Sequence, residues 1–292
     1  MAAQHGGRVN GELPQDLQRA VAAVAGGLGL VSPEVTALPA GVANRALRLR
    51  DARHDLVLRI AGSPAAALGA SRGSECRMHA LAAAAELAPA VVLARPERGL
   101  LVTRFVAGRM LSREDMRDRA ILRRVGDWIS RLHALPAPPG LPVIDFGARA
   151  AACLERVHAR APSPETVELA RRLAARRARL APSRTVSCHH DLHHRNFIDD
   201  GSRLVVVDWE YAGPGDAAAD LAACIGYHDL APSRVDALLS GYGQERAALR
   251  ARIATLVWIF DCLWYGWNAV AGLEGLPLEA DLQARLAARL LA

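Results

Sequence analysis

A polar, irregular stretch, residues 184–216, interrupts helical periodicity that otherwise runs from about residue 112 to the end of the chain. It reads RTVSCHHDLHHRNFIDDGSRLVVVDWEYAGPGD, short strand-like segments broken by turns. Irregular backbone inside a helical body needs a separate partner for each amide and carbonyl, and is found where it carries function. Ahead of residue 112 the pattern differs. Residues 35–38, 46–50, 56–60, 91–94 and 100–105 read as strands, with helices expected over 14–30 and 71–87. Further helices are expected at 113–135, 147–160, 164–180 and from about 217 onward. The class is therefore α+β and bilobal: a small β-rich lobe over 1–105 and a larger, mostly helical lobe over 106–292.

Composition removes several chemistries. All 36 basic side chains among the 292 residues are arginine. Without lysine there is neither a Walker-type phosphate loop nor a Schiff-base nucleophile. Such uniform arginine usage is also what a GC-rich coding sequence produces, so an arginine matters here only by position. The densest run, Arg171, Arg172, Arg176, Arg177 and Arg179, lies in a Leu/Ala-periodic helix without interleaved aromatics. That is a solvated helix face, and no nucleic-acid partner is expected. Five isolated cysteines fit a reducing compartment, and the N-terminus lacks the apolar core of a secretory signal, so a cytoplasmic location is expected. Residues 253–272 approach membrane length, but Asp261 and a crowd of aromatics make them a buried helix, not a span.

Within the irregular stretch, Asp191 and Asn196 stand five apart on one loop, and Asp208 ends an apolar strand twelve residues later. A hairpin of that length returns Asp208 beside the loop, giving an oxygen-rich cluster suited to Mg²⁺ shared with substrate phosphates. A carboxylate left off the metal can accept a proton from an attacking hydroxyl. Four histidines in six positions also admit a zinc site, with His190 and His194 four apart, though Asn196 and Asp208 would then have no purpose.

The order His189, Asp191, Asn196, Asp208, Glu210, Asp216 resembles the H-x-D-x-x-x-x-N loop and following metal-binding Asp of the protein kinase-like phosphotransferases. VVVDWEYAGPGDAAADLA is most similar to the choline, ethanolamine and thiamine kinase branch, beside the aminoglycoside phosphotransferases. The resemblance implies a protein kinase-like fold with ATP as co-substrate and Mg²⁺ as cofactor. Asp191 would be the catalytic base, His189 its buttress, and Asn196 and Asp208 the metal ligands. Asp216 and Asp220 would hold the loop's backbone.

The resemblance also assigns a nucleotide site in the first lobe. Gly41 and Asn44 would belong to the phosphate-covering loop. Arg59 would take the place of the strand lysine, gripping phosphate oxygens bidentately, and Glu75 would pair with it. Strand 100–105 and Gly108 would form the hinge whose backbone binds adenine, at Val102, Thr103 or Phe105.

Of 13 aromatic residues, five fall within ten positions: Trp258, Phe260, Trp264, Tyr265 and Trp267. A packed core helix is one reading. Aromatic faces beside a carboxylate also recognise organic cations, and the W-x-x-W spacing is similar to the helix lining the choline pocket of choline kinases. On that reading Trp264, Trp267, Tyr265, Asp261 and Glu210 face a cationic acceptor such as choline or thiamine. The function implied is γ-phosphoryl transfer from ATP to a primary hydroxyl. The alternatives are an aminoglycoside phosphotransferase, disfavoured by the few acids after the aromatic group, and a catalytically silent nucleotide-binding pseudokinase. The sequence leaves the oligomeric state open.

Overall fold

The structure, a computed structural model, describes residues 13–39, 44–62, 71–243, 247–276 and 281–292. Gly41 lies outside them. The first lobe is a five-stranded antiparallel sheet of β1 (Glu34–Leu38), β2 (Asn44–Arg50), β3 (Asp55–Ala61), β4 (Val91–Arg95) and β5 (Leu100–Arg104), in the order β1-β2-β3-β5-β4. Strand alternation gives the sheet two faces. Leu47, Leu49, Leu56, Leu58, Ile60 and Val102 pack with Leu17 and Val24 of α1 (Gln15–Leu28), forming that lobe's core. The opposite face presents Ala46, Val57, Arg59 and Thr103 to a cleft. The side chain of α2 (Arg72–Ala84) that matters there is Glu75; its Met78 and Ala82 join the larger core.

That larger core is built by α3 (Arg119–Ala134), α4 (Phe146–Arg160), α5 (Pro164–Arg177), α6 (Ala217–His228), α7 (Pro232–Tyr242), α8 (Ala247–Leu273) and α9 (Leu282–Leu291). Helix α3 starts later than the periodicity suggests because Asp118 caps it, accepting from the backbone N–H of Ala120 at 2.6 Å and of Ile121 at 3.2 Å. The irregular stretch folds into short strands. β6 (Arg109–Met110), β8 (Phe197–Asp199) and β9 (Leu204–Val206) form one sheet, with the β8–β9 hairpin between Asn196 and Asp208. β7 (Thr185–Cys188) pairs with β10 (Gly213–Asp216), whose Gly-Pro-Gly-Asp sequence gains its ladder partner only in the tertiary fold. Among the described residues no helix is long and apolar enough to cross a membrane.

Candidate active site

A cleft of about 810 Å³ runs between the sheet and the helices, a size typical of small-molecule sites. Its floor is the loop after β7. Asp220, on the first turn of α6 and wholly buried, accepts the backbone N–H of His189 at 2.9 Å and of His190 at 2.6 Å, and lies 3.1 Å from His133 Nε2. Burial alone would raise its pKa, but His133, His190 and the His189 amide outweigh it and hold Asp220 down at about 2. These bonds pin His190 in the left-handed region at φ +65°, which a non-glycine residue adopts only when its surroundings enforce it. Asp216 does something different from the expected loop support: it caps α6 through the Ala218 amide at 3.0 Å and pairs with Arg252 of α8 at 2.6 Å.

His189 is buried between Trp128 and Trp209, and burial depresses its pKa against the opposing charges of Asp191 and Asp220. The network assigns its tautomer: Nε2–H donates to the Val207 carbonyl at 3.1 Å, and Nδ1 accepts the Asp191 amide at 3.3 Å. One neutral imidazole thus ties the Asp191 loop to the strand end that carries Asp208. It does not line the cleft. Asp191 does. Its Oδ1 accepts the Tyr227 hydroxyl at 2.6 Å, and its Oδ2 accepts from Asn196 Nδ2 at 3.1 Å, with His193 Nε2 at 3.7 Å.

Asn196 Nδ2 also donates to the Asp191 carbonyl at 2.8 Å, leaving Oδ1 of the amide for another ligand. The Val207 amide donates to the Asn196 carbonyl at 2.9 Å, so Asn196 and Asp208 are neighbours through their backbones. Asp208 is held at φ +66°. Its Oδ1 is buried and makes no hydrogen bond, although Arg59 Nη2 approaches it as an ion pair at 2.7 Å. An amide oxygen, a carboxylate with an unbonded buried oxygen and an all-oxygen donor set fit Mg²⁺. The zinc alternative finds no such support. His190 bonds the Tyr211 carbonyl at 3.3 Å while the His194 amide turns to His228 at 3.1 Å. Among the described residues, the grouping within reach of a single ion is His133, Cys188 and Asp220, which contains none of the loop's four histidines.

Above the loop, Arg59 contacts Glu75, Asp208 and Glu210, the last at 3.3 Å. Arg72 pairs with Glu75 at 2.8 Å and donates to Asn44 at 3.0 Å, and Asn44 donates to Glu210 at 2.8 Å. Burial, then the charge of Asp208, pushes Glu210 up to about 7 against the pull of Arg59 and Asn44. Neutralising the Asp208 charge with a bound cation would remove one of the causes that raise Glu210.

The three hinge positions named from the sequence are placed differently from one another. Val102 pairs with Leu58 and is wholly buried in the sheet's core, so it does not line the cleft; Thr103 and Leu101 do. Phe105 lines it, but its amide is committed to the Asp55 carbonyl at 2.9 Å and its ring to the Arg48 guanidinium at 3.6 Å. Gly108 has a clear reason: a Cβ there would lie 2.6 Å from the Asp199 carbonyl oxygen.

At the other end, Trp264 and Trp267 line the cleft, and Asp261 and Tyr265 do not. Successive helical residues point about 100° apart, so the neighbours of the indoles face elsewhere. Asp261 pairs with Arg289 of α9 at 2.7 Å, and Tyr265 donates to Glu165 at 2.7 Å. Burial lifts Asp261 to about 6, with Arg289 opposing. Tyr211 and Tyr227 complete the aromatic wall. Tyr227 meets Trp264 edge-on at 5.0 Å, and Trp267 Nε1 donates to the Tyr211 hydroxyl at 3.2 Å. Sequence reasoning missed both tyrosines and also Arg149 and Arg156 of α4. Tyr227 follows Asp220 by seven residues, and Arg156 follows Arg149 by seven, so each pair shares a helix face. Those spacings were the available signals.

Comparison with known proteins is consistent with this geometry. The model of a family described as "Phosphotransferase enzyme family" matches residues 34–252. A thiamine kinase of Escherichia coli is 45% identical over 64 residues, 21% of this chain and 23% of that protein. The match therefore spans less than a quarter of that relative's length. A choline/ethanolamine kinase family protein from Mesorhizobium loti superposes with a TM-score of 0.78 at 25% identity, covering 94% of this chain and 92% of that one. A choline kinase from Streptococcus pneumoniae gives a TM-score of 0.78 at 19% identity, covering 95% and 98%; the shared fold is protein kinase-like.

Proposed function

The chain belongs to the phosphotransferase enzyme family, and we propose that it transfers the γ-phosphoryl group of ATP to a hydroxyl of a small organic acceptor. The observation that carries this reading is the position of Asp191. It stands on the cleft floor between an oxygen-donor pair, Asn196 and Asp208, and an aromatic wall. The Streptococcus pneumoniae choline kinase has been solved with AMP, in keeping with an adenine nucleotide here.

The part of the cleft lined by Ala46 and Val57 of the sheet and by Met110 and Ile198 is apolar and would suit a purine. Arg59 would grip phosphate oxygens, held in place by Glu75. Asn196 and Asp208 would hold Mg²⁺, which supplies charge neutralisation on the phosphates. Asp191 would orient the attacking hydroxyl and take its proton. Tyr227 remains an O–H donor to Asp191 throughout, because burial and then the Asp191 charge hold its pKa well above the ordinary tyrosine value. His189 keeps Asp191 and Asp208 in one rigid frame. An ATP-dependent activity would fit the cytoplasmic location expected from the sequence.

An organic cation such as choline or thiamine is a second reading, favoured by the indole and phenol faces. Mass-resolved assay of choline, ethanolamine, thiamine and kanamycin with Mg-ATP tests the kinase reading. A phosphorylated product supports it, and ATP binding with neither hydrolysis nor a phosphorylated acceptor, hydroxy acids included, argues for a nucleotide-binding pseudokinase.

A further inference from the structure

The acceptor end of the cleft has two walls of different character. Helix α8 supplies indoles, and α4 supplies Arg149, Cys153 and Arg156, which stand at i, i+4 and i+7 on one face and all line the cleft. The Arg149 guanidinium carbon lies 5.5 Å from the centre of the Tyr211 ring.

The acids are distributed the other way. Among the described residues lining the cleft, the carboxylates are Asp191, Asp208 and Glu210, all at the phosphoryl-transfer end. Asp261, the acid expected beside the indoles, is turned to Arg289. Glu274 approaches Arg156 at 3.4 Å and Arg160 at 3.1 Å, so one carboxylate serves two guanidiniums beyond the wall. Neither Arg149 nor Arg156 is without interactions of its own; what selects a ligand is the sign of the charge that they bring to this wall.

We propose that the acceptor carries, besides its hydroxyl, an oxyanion group that binds Arg149 and Arg156, while its apolar body lies against Trp264 and Trp267. This deepens the kinase reading above and rests on it. Guanidinium pairs carboxylate and phosphate oxygens in a planar fork, which an ammonium group on the acceptor could not use. A cationic acceptor would instead bring like charge to a partly desolvated arginine. Burial depresses the Arg149 pKa, with Tyr211 and Cys153 opposing, so an anion placed beside it is the favourable counterpart.

The test uses four probes with one shared body: p-hydroxymethylbenzoate, p-hydroxymethylphenyl phosphate, p-hydroxymethylbenzamide and p-hydroxymethylphenyltrimethylammonium. Calorimetric binding to the full chain, loaded with Mg²⁺ and a non-hydrolysable ATP analogue, is measured for each. At least one acid should bind about tenfold or more tighter than the neutral amide and the cation, and the two acids separate carboxylate from phosphate recognition. Arg149→Gln should erase that preference without changing analogue affinity. Arg156→Gln, on the more exposed residue, should reduce it, and provides the test if Arg149→Gln does not fold.

Preference for the cation, binding of neither acid with the analogue still bound, or an acid-to-amide ratio unchanged in both variants would overturn the proposal alone. Failure of the analogue to bind at all would instead remove the kinase reading beneath it.

Discussion

The phenolic O–H of Tyr227 donates to Oδ1 of Asp191 at 2.6 Å, and the same ring meets the indole of Trp264 edge-on at 5.0 Å. One side chain therefore touches both the carboxylate proposed to take the proton and the wall proposed to face the acceptor. Tyr227→Phe keeps the ring and removes the donor. A hydrogen bond to a charged group is worth about 1.5–3 kcal/mol, so kcat should fall roughly ten- to a hundredfold with ATP KM unchanged. Steady-state kinetics check this; an unaltered kcat would show that Asp191 is positioned without Tyr227.

Trp264 and Trp267 line the cleft beside Tyr227 and Tyr211. Trp264→Ala should raise the acceptor KM by about tenfold or more while leaving ATP KM nearly constant, because binding energy is removed from one substrate alone. Equal rises in both constants would sink the pocket assignment.

Asp220 is wholly buried and holds two backbone amides of the catalytic loop together with His133. Asp220→Ala leaves those donors unsatisfied, and breaking a buried charged network costs about 3–5 kcal/mol. Thermal unfolding should show a large fall in Tm. Asp216→Ala, which removes a cap and a part-buried pair with Arg252, should cost less, about 1–2 kcal/mol.

Burial depresses His79, His190 and His194 to about 4 and His228 to about 3, while it raises Glu210 to about 7 and Asp261 to about 6. Each such histidine is protonated in the unfolded chain first, so its contribution to stability is lost as pH falls below about 6.5. Each of the two acids is protonated in the folded chain first and acts in the opposite direction. Four histidines against two acids make the net proton uptake on unfolding positive between about pH 4 and 6.5. Tm should therefore drop as pH is lowered from 6.5 to 5, and a Tm that rises across that range would contradict these burial assignments.

The placement of the floor residues was legible because it is local. Asp191, Asn196 and Asp208 sit on one loop and one hairpin, and their spacing fixes where they meet. Strand alternation likewise carried Arg59 to the cleft face of β3. Faces of uniformly apolar elements were not legible. Helix α8 is buried on most sides, so its periodicity does not say which residues meet the cleft, and Asp261 and Tyr265 fell one position round from Phe260 and Trp264. Strand β5, LLVTR, lacks alternation at its apolar end, which hid that Val102 and Thr103 face opposite sides. The seven-residue spacing puts Arg149 and Arg156 on one face of α4, but that this face meets the cleft depends on how the helix packs against α8, which no local pattern encodes.

Asp191 is where phosphoryl transfer and nucleotide binding should come apart. Asp191→Ala, assayed for the phosphorylated acceptor by mass and for Mg-ATP binding by calorimetry, should lose transfer by about a hundredfold or more while binding nucleotide nearly as the parent does. Loss of ATP binding together with transfer, or transfer that survives the substitution, would contradict the role assigned to this carboxylate.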